Sequence, residues 1–429
     1  MQERKLRALM RTLAARSPFY RRKFDEAGIV PDSIRSLDDL RRLPTVDKED
    51  HKRSQQEHPP YGDIHIVDVK ASSRLHGSGG TTGRPLLYLD TRRSFSWIAE
   101  MWAYGLYAQG IRPGSVFLMP SGYNMFIGFW GAHYAVEKVG GVVVPSGSTP
   151  TDRRVRMIRD FACTHFMCTP SYALHMGAVS QEEGIDTRSS TIRSTHHAAE
   201  PGASIPATKK RIEDLWGADC YDNYGMVELG TISLYECPAK AGMHVIEDNF
   251  IAECLDPVTG EPAPDGEVGE IVWTSLGVRS FEVLPLLRYR SKDLAAFTSE
   301  PCSCGRTFKR LVAGIRGKLD DVKKVKGVNI FPPAIEETLA GIEALTHEWE
   351  AVIERVKEVD KLTVRGEVHP DVDRARWPSI QKEVQQALAA SLLIQCGVEL
   401  VEAGEIGKKF ADVLKPGWKR IEDKRDVPF

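Results

Sequence analysis

The sequence predicts an α/β protein: a large N-terminal domain of the α/β-sandwich type that includes a small β subdomain, followed by a small α+β domain. Strand-like and helical patterns alternate between about residues 65 and 300, and a Pro/Gly/Asp turn separates two strand-like runs within residues 250–297. The C-terminal part forms a third feature, a compact unit of about 110 residues, which is a usual domain size. We therefore expect domains at residues 1–316 and 317–429, with the β subdomain at about residues 235–310.

The first 300 residues contain the individual elements of the large domain. Residues 1–60 carry charged and apolar residues at helical spacing, interrupted by prolines, and are expected to be mostly helical. Further helical patterns are Phe126–Val139 and Thr151–Phe161. The strand candidates are IHIVDVK, SVFLMP, GGVVVP and THFMCTP. Because strands alternate with helices, the sheet is expected to be substantially parallel.

The C-terminal unit follows a domain boundary that is predicted near Gly314–Gly317. The run KKVKGVNIFPPAIEETLAGI predicts a strand, a proline-marked turn and a helix. Alternating residues in EWEAVIERV and KLTVRGEV predict two further strands, and SIQKEVQQALAASLL predicts a helix. These elements together indicate an α+β domain.

Charge and composition restrict the class of protein. The chain has 429 residues, with 57 Lys+Arg against 59 Asp+Glu and a formal net charge of -2, which argues against a general nucleic-acid binder. No apolar run is long enough to cross a bilayer, and the basic, amphipathic N-terminus lacks the apolar core of a signal peptide. Eight cysteines in so long a chain do not form a disulfide scaffold. We therefore expect a cytoplasmic enzyme with no nucleic-acid or membrane partner.

A glycine-rich segment is the most specific local feature: Leu75-His-Gly-Ser-Gly-Gly-Thr-Thr-Gly-Arg-Pro85. Its glycines let the backbone approach an anion, its hydroxyl residues add donors, and Arg84 adds positive charge, so a phosphate is the natural ligand. The segment is not a Walker loop, because Ser78 stands where that motif has glycine and Arg84-Pro85 replaces its Lys-Ser/Thr pair. As a residue pattern it fits a phosphate loop or a flexible surface loop equally well.

Three further segments place aromatic, acidic and basic residues close together: Tyr221–Glu228, Arg288–Asp293 and Gly317–Pro332. Each segment alone is compatible with a solvated charge cluster. Together with the glycine-rich segment, and in this order, they resemble the adenylate-forming superfamily of acyl- and aryl-CoA ligases, and most of all the phenylacetate–coenzyme A ligase family. The resemblance covers nearly the whole chain, from Ser17 to Arg425.

The resemblance implies a two-step reaction with ATP, Mg²⁺ and coenzyme A. A carboxylic acid and ATP give an acyl-adenylate and pyrophosphate, and the thiol of coenzyme A then attacks to give the thioester and AMP. By similarity, Glu228 would hold Mg²⁺ and Asp293 would bind the ribose hydroxyls. The residues that would hold the phosphates are Ser78, Gly79, Gly80, Thr81, Thr82 and Gly83. The residues that would line the adenine pocket are Glu200, Pro201, Asn223, Tyr224 and Gly225.

The hinge is the first place where the chain departs from the family pattern. Members of the superfamily rotate the small domain between half-reactions, which implies a mobile C-terminal domain with Asp320 as the hinge residue. Lys318 replaces the usual arginine, which keeps the charge but loses the planar fork. Val227 stands where the family usually has Ser or Thr, so a hydroxyl contact is lost there.

The catalytic lysine is the second departure. In the family a lysine near the C-terminus bridges the substrate carboxylate and the α-phosphate. The position in this chain that corresponds to that lysine is Gly417. Lys415 and Lys419 flank that position in a segment that is a few residues longer than usual. We favour Lys415, because a local loop change at Lys415-Pro-Gly would present its ammonium group at the expected place.

Three thiols and one imidazole form a candidate metal site. Cys237 and His244 follow the nucleotide segment, while Cys302 and Cys304 lie in a polar turn before the domain boundary. Three thiolates and one histidine match a closed, tetrahedral, structural zinc site, and four unconnected reduced side chains are the alternative. The resemblance favours zinc, because some relatives carry it here; zinc would then stabilise the β subdomain and not catalyse.

The resemblance also implies that the acid binds along the helix after the third strand. The residues there are Tyr123, Phe126, Trp130, Gly131, Ala132 and His133. Aromatic residues with small neighbours suit a flat ring, and Gly131 and Ala132 leave space for it. Asn124, His133 and the pair His196-His197 are candidates to bond ring hydroxyl or amino groups, although the histidines also fit ordinary packed residues. A hydroxy-, amino- or aminohydroxybenzoate is favoured over phenylacetate.

Two other functions compete with an aryl-CoA ligase. One is an adenylating enzyme that passes its acyl group to a carrier protein or an amine, and the other is a degenerate nucleotide-binding protein without catalysis. A serine hydrolase is excluded because no Gly-x-Ser-x-Gly elbow is present. Homodimers are common among relatives, and no residue pattern here decides the oligomeric state.

Overall fold

The N-terminal region is helical, as predicted. The computed structural model describes residues 1–78, 85–326, 328–356, 359–407 and 420–425. Its first helices are α1 (Gln2–Arg16), α2 (Pro18–Glu26) and α3 (Lys48–Glu57). Helix α2 begins at Pro18 because the Ser17 side chain accepts a hydrogen bond from the backbone N–H of Tyr20. Asp47 and Asp50 form a capping box that starts α3.

A short antiparallel hairpin brackets the glycine-rich segment. It consists of β1 (Arg74–Gly77) and β2 (Leu87–Asp90). The strand predicted for IHIVDVK is not formed, because the Asp68 carboxylate accepts the Lys70 N–H and starts a 3-10 turn. The apolar residues of that run pack without a sheet partner of their own: Ile64 is buried, and the Ile66 N–H donates to the Val283 carbonyl at 2.8 Å.

One eleven-stranded mixed sheet forms the centre of the large domain, in the order β10-β11-β12-β13-β9-β8-β7-β6-β5-β3-β4. Its parallel strands are β3 (Val116–Met119), β4 (Val142–Pro145), β5 (His165–Cys168), β6 (Ser194–His197) and the first half of β7 (Asp219–Met226). Its antiparallel strands are β8 (Thr231–Glu236), β9 (Met243–Val245), β10 (Phe250–Leu255), β11 (Val268–Ser275), β12 (Tyr289–Thr298) and β13 (Arg310–Lys318).

Six helices accompany these strands. They are α4 (Arg92–Ala108), α5 (Ile127–Val139), α6 (Thr151–Asp160), α7 (Pro170–Glu182), α8 (Pro206–Trp216) and α9 (Val278–Glu282). The strands predicted for SVFLMP, GGVVVP and THFMCTP are confirmed as β3, β4 and β5, and the two predicted helices are confirmed as α5 and α6. The described residues contain no helix long and apolar enough to cross a membrane.

Strand β7 connects the parallel and antiparallel halves of the sheet. Its first residues pair in parallel with β6, from Asp219 to Asp222, and its last residues pair antiparallel with β8, from Asn223 to Met226. The predicted hairpin is present as β10 and β11. The strands between residues 231 and 318 are continuous with the parallel half, and the bounds of about 235–310 for the β subdomain remain a prediction.

The C-terminal part has its own sheet and its own hydrophobic core. A four-stranded sheet has the order β18-β17-β16-β19, and a two-stranded ladder precedes it. The ladder consists of β14 (Lys323–Val325) and β15 (Val328–Ile330). The four-stranded sheet consists of β16 (Leu345–Val356), β17 (Val359–Val368), β18 (Gly397–Val401) and β19 (Ile421–Asp423). The helices of this part are α10 (Pro332–Ala340) and α11 (Trp377–Leu392). Buried side chains such as Trp349, Ile353 and Leu388 form the core between them. The division at residue 316 remains a prediction, and strand β13 runs across it to Lys318.

Candidate active site

The β1–β2 hairpin closes the base of the glycine-rich loop. The Ser78 N–H donates to the Leu86 carbonyl at 2.9 Å, and the Leu86 N–H donates to Ser78 Oγ at 3.1 Å. As an acceptor in this pair, the Ser78 hydroxyl keeps its proton for a ligand. The other predicted phosphate-binding residues, Gly79, Gly80, Thr81, Thr82 and Gly83, lie outside the described residues.

Strands β7, β12 and β13 bring together three of the predicted nucleotide residues. The Tyr224 hydroxyl donates to Asp293 Oδ2 at 2.7 Å, and Lys318 Nζ donates to Asp293 Oδ1 at 2.6 Å. Burial and the neighbouring Asp293 raise the pKa of Tyr224 well above its usual value, so the phenol keeps its proton. Both oxygens of the buried Asp293 carboxylate thus have a fixed partner, one on the adjacent strand β13 and one on the more distant strand β7.

The predicted hinge residue is tied to the same region by a second ion pair. Lys292 Nζ lies 2.9 Å from Asp320 Oδ2, and the Asp320 carboxylate is exposed. Lys292 and Asp293 are neighbours on β12, while Lys318 ends β13 and Asp320 lies in the 3-10 turn that follows it. The two pairs therefore connect the same two segments of chain immediately before the second core begins.

Glu228 lies in the turn between β7 and β8 and is buried. Burial raises the pKa of its carboxyl, while a hydrogen bond with the Tyr289 hydroxyl and the charges of Lys48 and Lys318 lower it. The sequence analysis did not identify Tyr289 or Lys48. Tyr289 lies within the segment that supplied Asp293, but nothing in the sequence shows that its hydroxyl reaches Glu228.

Asn223 has both ends of its amide group bonded to the protein. Its Oδ1 accepts from Gln109 Nε2 at 2.9 Å, and its Nδ2 donates to the His197 carbonyl at 3.2 Å. Gln109, at the end of α4, was not identified from the sequence. The next glycine in the strand, Gly225, is required for close packing, because a Cβ there would lie 2.4 Å from the Thr231 carbonyl oxygen.

Glu200 and Pro201 lie at the loop after β6. The Glu200 carboxylate accepts from the Ser171 hydroxyl at 2.9 Å and from the Ser171 N–H at 3.2 Å, so it stabilises the start of α7. Pro201 begins a 3-10 turn that ends at Ser204. The position of both residues beside β7 agrees with an adenine-lining role, although the Glu200 carboxylate already has a structural partner.

The adjacent histidines of β6 are packed core residues. His196 bonds Gln109 Oε1 at 2.8 Å, and His197 bonds the Cys168 carbonyl at 3.0 Å, while their second ring nitrogens bond hydroxyls of the same strand. Both residues are completely buried, and burial lowers the pKa of each, for His197 to about 3. Both imidazoles are therefore neutral and fully bonded, so the interpretation as substrate ligands is not supported.

The aromatic residues at the start of α5 form a hydrogen-bonded cluster. The Tyr123 hydroxyl and His133 Nδ1 are 2.8 Å apart, and the Tyr123 and Trp130 ring centres are 4.8 Å apart. Trp130 Nε1 donates to the Asn124 carbonyl at 2.9 Å. Phe126, at the N-terminus of the helix, is 41% exposed. The polar edges of the cluster are therefore already bonded to one another, which presents mainly ring surface to a ligand.

The small residues of the same helix face the opposite way. A Cβ on Gly131 would lie 2.6 Å from Cδ1 of Trp102 in α4, and Ala132 is fully buried. The structure leaves no space for a substrate ring at Gly131, because α4 packs closely against α5 there and the Trp102 indole occupies it. The substrate-binding roles of Gly131 and Ala132 otherwise remain predictions.

The four candidate metal ligands meet at one point. Their ligand atoms all lie within 4.8 Å of one another; Cys237 Sγ is 3.8 Å from Cys302 Sγ, and Cys304 Sγ is 3.4 Å from His244 Nε2. Tetrahedral zinc with Zn–S of about 2.3 Å and Zn–N of about 2.0–2.1 Å would separate such ligand pairs by about 3.8 and 3.5 Å. His244 Nδ1 faces the Phe308 carbonyl at 3.4 Å, which favours the tautomer that leaves Nε2 free to bind a metal.

The two candidate catalytic lysines, Lys415 and Lys419, lie outside the described residues, as does Gly417. The chain before them is anchored where the Gly404 N–H donates to Glu367 Oε2 at 3.0 Å. The chain after them is anchored where β19 pairs in parallel with β16.

Comparison with known proteins identifies the family. Residues 40–279 match the AMP-binding enzyme family, and residues 327–425 match the AMP-binding enzyme C-terminal domain. A phenylacetate-coenzyme A ligase of Thermus thermophilus is 36% identical over 370 residues, which cover 86% of this chain and 81% of that relative. Phenylacetate-coenzyme A ligases of Pseudomonas putida and Escherichia coli are 34% and 33% identical and cover 91% and 86% of this chain, with 87% and 82% of the relatives matched.

Solved structures of one related enzyme match almost the whole chain. A 2-hydroxyisobutyryl-CoA ligase in the postadenylation state, in complex with an acyl-adenylate, has a TM-score of 0.91 and 30% identity, covering 99% of this chain and 89% of that one. The same ligase in its thioesterification state covers the same shares with 31% identity but a TM-score of 0.72. The described structure is thus more similar to the former arrangement.

Proposed function

The chain belongs to the phenylacetate–coenzyme A ligase family and is an AMP-forming acid–CoA ligase; from this premise we propose that its acid is aromatic, of the benzoate or phenylacetate type. The acid and ATP give an acyl-adenylate and pyrophosphate, and coenzyme A then gives the aryl-CoA thioester and AMP. The observation that carries the proposal is the aromatic cluster at the start of α5. Its segment adjoins the phosphate loop directly, since the Gly77 N–H donates to the Met125 carbonyl at 3.1 Å.

The nucleotide half of the reaction is assigned to the strand-borne residues. Asp293 would accept the ribose hydroxyls with one carboxylate oxygen positioned by Tyr224 and the other by Lys318. The glycine-rich loop from Ser78 to Gly83 would hold the phosphates with backbone N–H groups and hydroxyls. Asn223, Gly225 and the Glu200-Pro201 turn would line the adenine. All of these residues are assigned to ATP, and none of them to the acid.

Glu228 is the proposed carboxylate for Mg²⁺. Its neighbours fit this role, because a buried carboxylate with a raised pKa gains from a nearby cation. When bound, Mg²⁺ would neutralise charge on the ATP phosphates. Glu228 then supplies the single charged protein ligand, and Lys48 and Lys318 contribute positive potential around it.

The C-terminal domain is proposed to rotate about Asp320 between the two half-reactions. The higher TM-score to the postadenylation structure supports the view that the described arrangement is the one suited to adenylation. In this arrangement the Lys292–Asp320 and Lys318–Asp293 pairs connect β12 to the end of β13. A rotation at Asp320 would break the first pair before coenzyme A reacts.

Lys415 is the proposed lysine that bridges the acid carboxylate and the α-phosphate. Alanine at Lys415 is expected to abolish acyl-adenylate formation while thioester formation from an added acyl-adenylate continues. Alanine at Lys419 is the matched control, because it removes an equal charge four residues away. The reverse result would assign the role to Lys419.

A structural zinc ion is proposed for Cys237, His244, Cys302 and Cys304. The spacing of the four ligand atoms and the orientation of His244 support it. Because four protein ligands fill a tetrahedral site, no position is open for water or substrate. The ion would link the end of β8 and strand β9 to the turn between β12 and β13. The cytoplasmic location proposed for the enzyme agrees with eight cysteines that form no disulfide in the described structure.

The proposal is tested by pyrophosphate release over a panel of acids, with and without coenzyme A. The panel contains phenylacetate, benzoate, hydroxy- and aminobenzoates and, as an aliphatic control, 2-hydroxyisobutyrate. We expect release with at least one aromatic acid, a CoA thioester by mass spectrometry, and little release with the aliphatic acid. Preference for the aliphatic acid would overturn the aromatic assignment.

Two other outcomes of the same experiment identify the competing functions. Release of pyrophosphate with an acyl-adenylate that coenzyme A does not consume would indicate transfer to a carrier protein or an amine. Binding of ATP without pyrophosphate release for any acid would indicate a degenerate nucleotide-binding protein. Both outcomes would contradict the ligase proposal.

A further inference from the structure

A buried ion pair lies between the two segments of chain that are proposed to hold the phosphates and Mg²⁺. Arg279, in α9, donates to Asp90 through two bonds, Nε to Oδ1 at 2.9 Å and Nη2 to Oδ2 at 3.2 Å. Arg279 is 1% exposed and Asp90 is fully buried. Asp90 is the last residue of β2, the strand that leaves the glycine-rich loop. The pair is therefore anchored to the phosphate-loop hairpin.

The other side of the same guanidinium group holds the turn that carries Glu228. Arg279 Nη1 donates to the Glu228 carbonyl at 2.6 Å and faces the Val227 carbonyl at 3.3 Å. The turn itself closes with a hydrogen bond from the Gly230 N–H to the Met226 carbonyl at 2.9 Å. The backbone that presents Glu228 is thus fixed from within by its own turn and from outside by Arg279.

Gly230 makes this close approach sterically possible. Its φ of +81° favours glycine, and a Cβ at this position would lie 2.7–2.9 Å from three atoms of the guanidinium group. The planar fork of arginine is also essential, because one end must bond a carboxylate while the other bonds a carbonyl. A lysine has one compact ammonium group and cannot bridge both partners with the same geometry.

We propose that Arg279 is a positioning residue for the adenylation step: it fixes the Glu228 turn relative to the phosphate-loop hairpin by bridging Asp90 and the Glu228 carbonyl. The proposal rests on the proposed role of Glu228 in binding Mg²⁺. Arg279 touches neither ATP nor the acid in this scheme and acts only through the backbone. Its loss should therefore affect the step that needs ATP and Mg²⁺ and spare the step that does not.

The test separates the two half-reactions in purified full-length enzyme. Acid-dependent exchange of pyrophosphate into ATP is measured over a range of Mg²⁺ concentrations, and thioester formation is measured from an added acyl-adenylate and coenzyme A. For Arg279→Lys we expect kcat/KM for ATP in the exchange to fall by about tenfold or more and the half-saturating Mg²⁺ concentration to rise. Thioester formation should stay within about twofold of the unmodified enzyme.

Arg288→Lys is the matched control. Arg288 is also buried, also pairs with a carboxylate, Glu253 at 3.0 Å, and also donates to a backbone carbonyl, that of Leu43 at 2.7 Å. Its loss should lower thermal stability without changing the Mg²⁺ dependence. If Arg279→Lys fails to fold, Asp90→Asn keeps the guanidinium group and weakens its anchor, together with the bond from Ser94 Oγ to Asp90 Oδ1, and the same Mg²⁺ shift is expected with smaller size.

Equal loss of both half-reactions in Arg279→Lys, or an unchanged Mg²⁺ requirement, would overturn the positioning role. Glu228→Gln separates this failure from failure of the proposed function. A raised Mg²⁺ requirement in Glu228→Gln but not in Arg279→Lys would reject the inference alone. No Mg²⁺ effect in Glu228→Gln would reject the metal role of Glu228 and the inference with it.

Discussion

The nucleotide residues and the aromatic residues were both proposed from short segments of sequence, yet the structure treats the two sets differently. Tyr224, Asp293 and Lys318 meet within hydrogen-bond distance, although they come from three strands. On α5, by contrast, Trp130 and His133 face the aromatic cluster while Gly131 and Ala132 face the core. Each helical residue turns by about 100°, so neighbours in a helical segment seldom share a surface. A strand-borne site is therefore easier to predict from residue identity than a helix-borne one.

The strand-borne site gives the largest expected effect. In Asp293→Asn the ribose would lose a charged acceptor and Lys318 would lose its ion-pair partner. Because a hydrogen bond to a charged group contributes about 1.5–3 kcal/mol, the KM for ATP should rise by about 10- to 100-fold. Initial rates of pyrophosphate release at varied ATP measure this change.

Asp256→Asn is the control for that substitution. The Asp256 carboxylate is also an acceptor of hydrogen bonds, but from the backbone N–H groups of Val258 and Thr259 in a turn outside the nucleotide site. Its replacement should leave the KM for ATP unchanged. An unaltered KM in Asp293→Asn would show that the Tyr224–Asp293–Lys318 cluster is structural only, and the comparison between strand-borne and helix-borne sites would lose its main support.

The cysteine–histidine cluster extends the comparison to loops that connect strands. In Cys304→Ser one metal ligand is lost, so we expect less than stoichiometric zinc by elemental analysis and a melting temperature lower by several degrees. Cys254→Ser is the control, since Cys254 is a half-buried free cysteine of β10 and no part of the cluster. An unmodified enzyme purified without zinc supplementation or chelators that contains no bound metal would contradict the site.

The helix-borne site is tested most directly at Gly131. Gly131→Ala places a Cβ 2.6 Å from the Trp102 ring, and such overpacking costs about 1–3 kcal/mol of unfolding free energy. We expect a lower melting temperature and a KM for the acid within about twofold of the unmodified enzyme. Gly341→Ala, where a Cβ meets nothing closer than 3.5 Å, should change neither quantity. A large rise in KM with unchanged stability would show that Gly131 faces the acid after all.

The sequence was sufficient for the general architecture because this depends on local patterns, whereas the roles of the strand-borne residues came from the family resemblance and remain predictions. Runs such as VVV and HFMC read directly as β4 and β5, and the family resemblance placed Tyr224 and Asp293 in one site. The run IHIVDVK failed because one side chain, Asp68, started a turn within an otherwise strand-like alternation. Local patterns carry no information about such competition.

The residues that were missed depend on contacts between distant parts of the chain. Gln109 bonds Asn223 across 114 positions, and Arg279 bonds Asp90 across 189. Nothing near either residue in the sequence distinguishes it from an ordinary polar residue at the end of a helix or in a short helix. The role of β7 is of the same kind, because only strand pairing shows that it joins the parallel and antiparallel halves of the sheet.

The smallest expected effect concerns the two histidines of β6, which the comparison assigns to the core and not to the acid. The pKa of His197 is lowered to about 3 by burial, against about 6.5 in an unfolded chain. Between these values the unfolded state binds a proton that the folded state does not, so stability is retained above about pH 6.5 and is lost as the pH falls towards 3. This one residue contributes a slope of about 1.4 kcal/mol per pH unit. In His197→Asn the free energy of unfolding, measured by denaturant titration from pH 7 to pH 5, should therefore fall less steeply than in the unmodified enzyme.

His51, whose pKa burial also lowers to about 3, offers a second position where a less steep fall of the unfolding free energy is expected. An unchanged slope in both variants would mean that the imidazoles gain protons in the folded state, and the histidines of β6 would again be candidates to bond a charged substrate group.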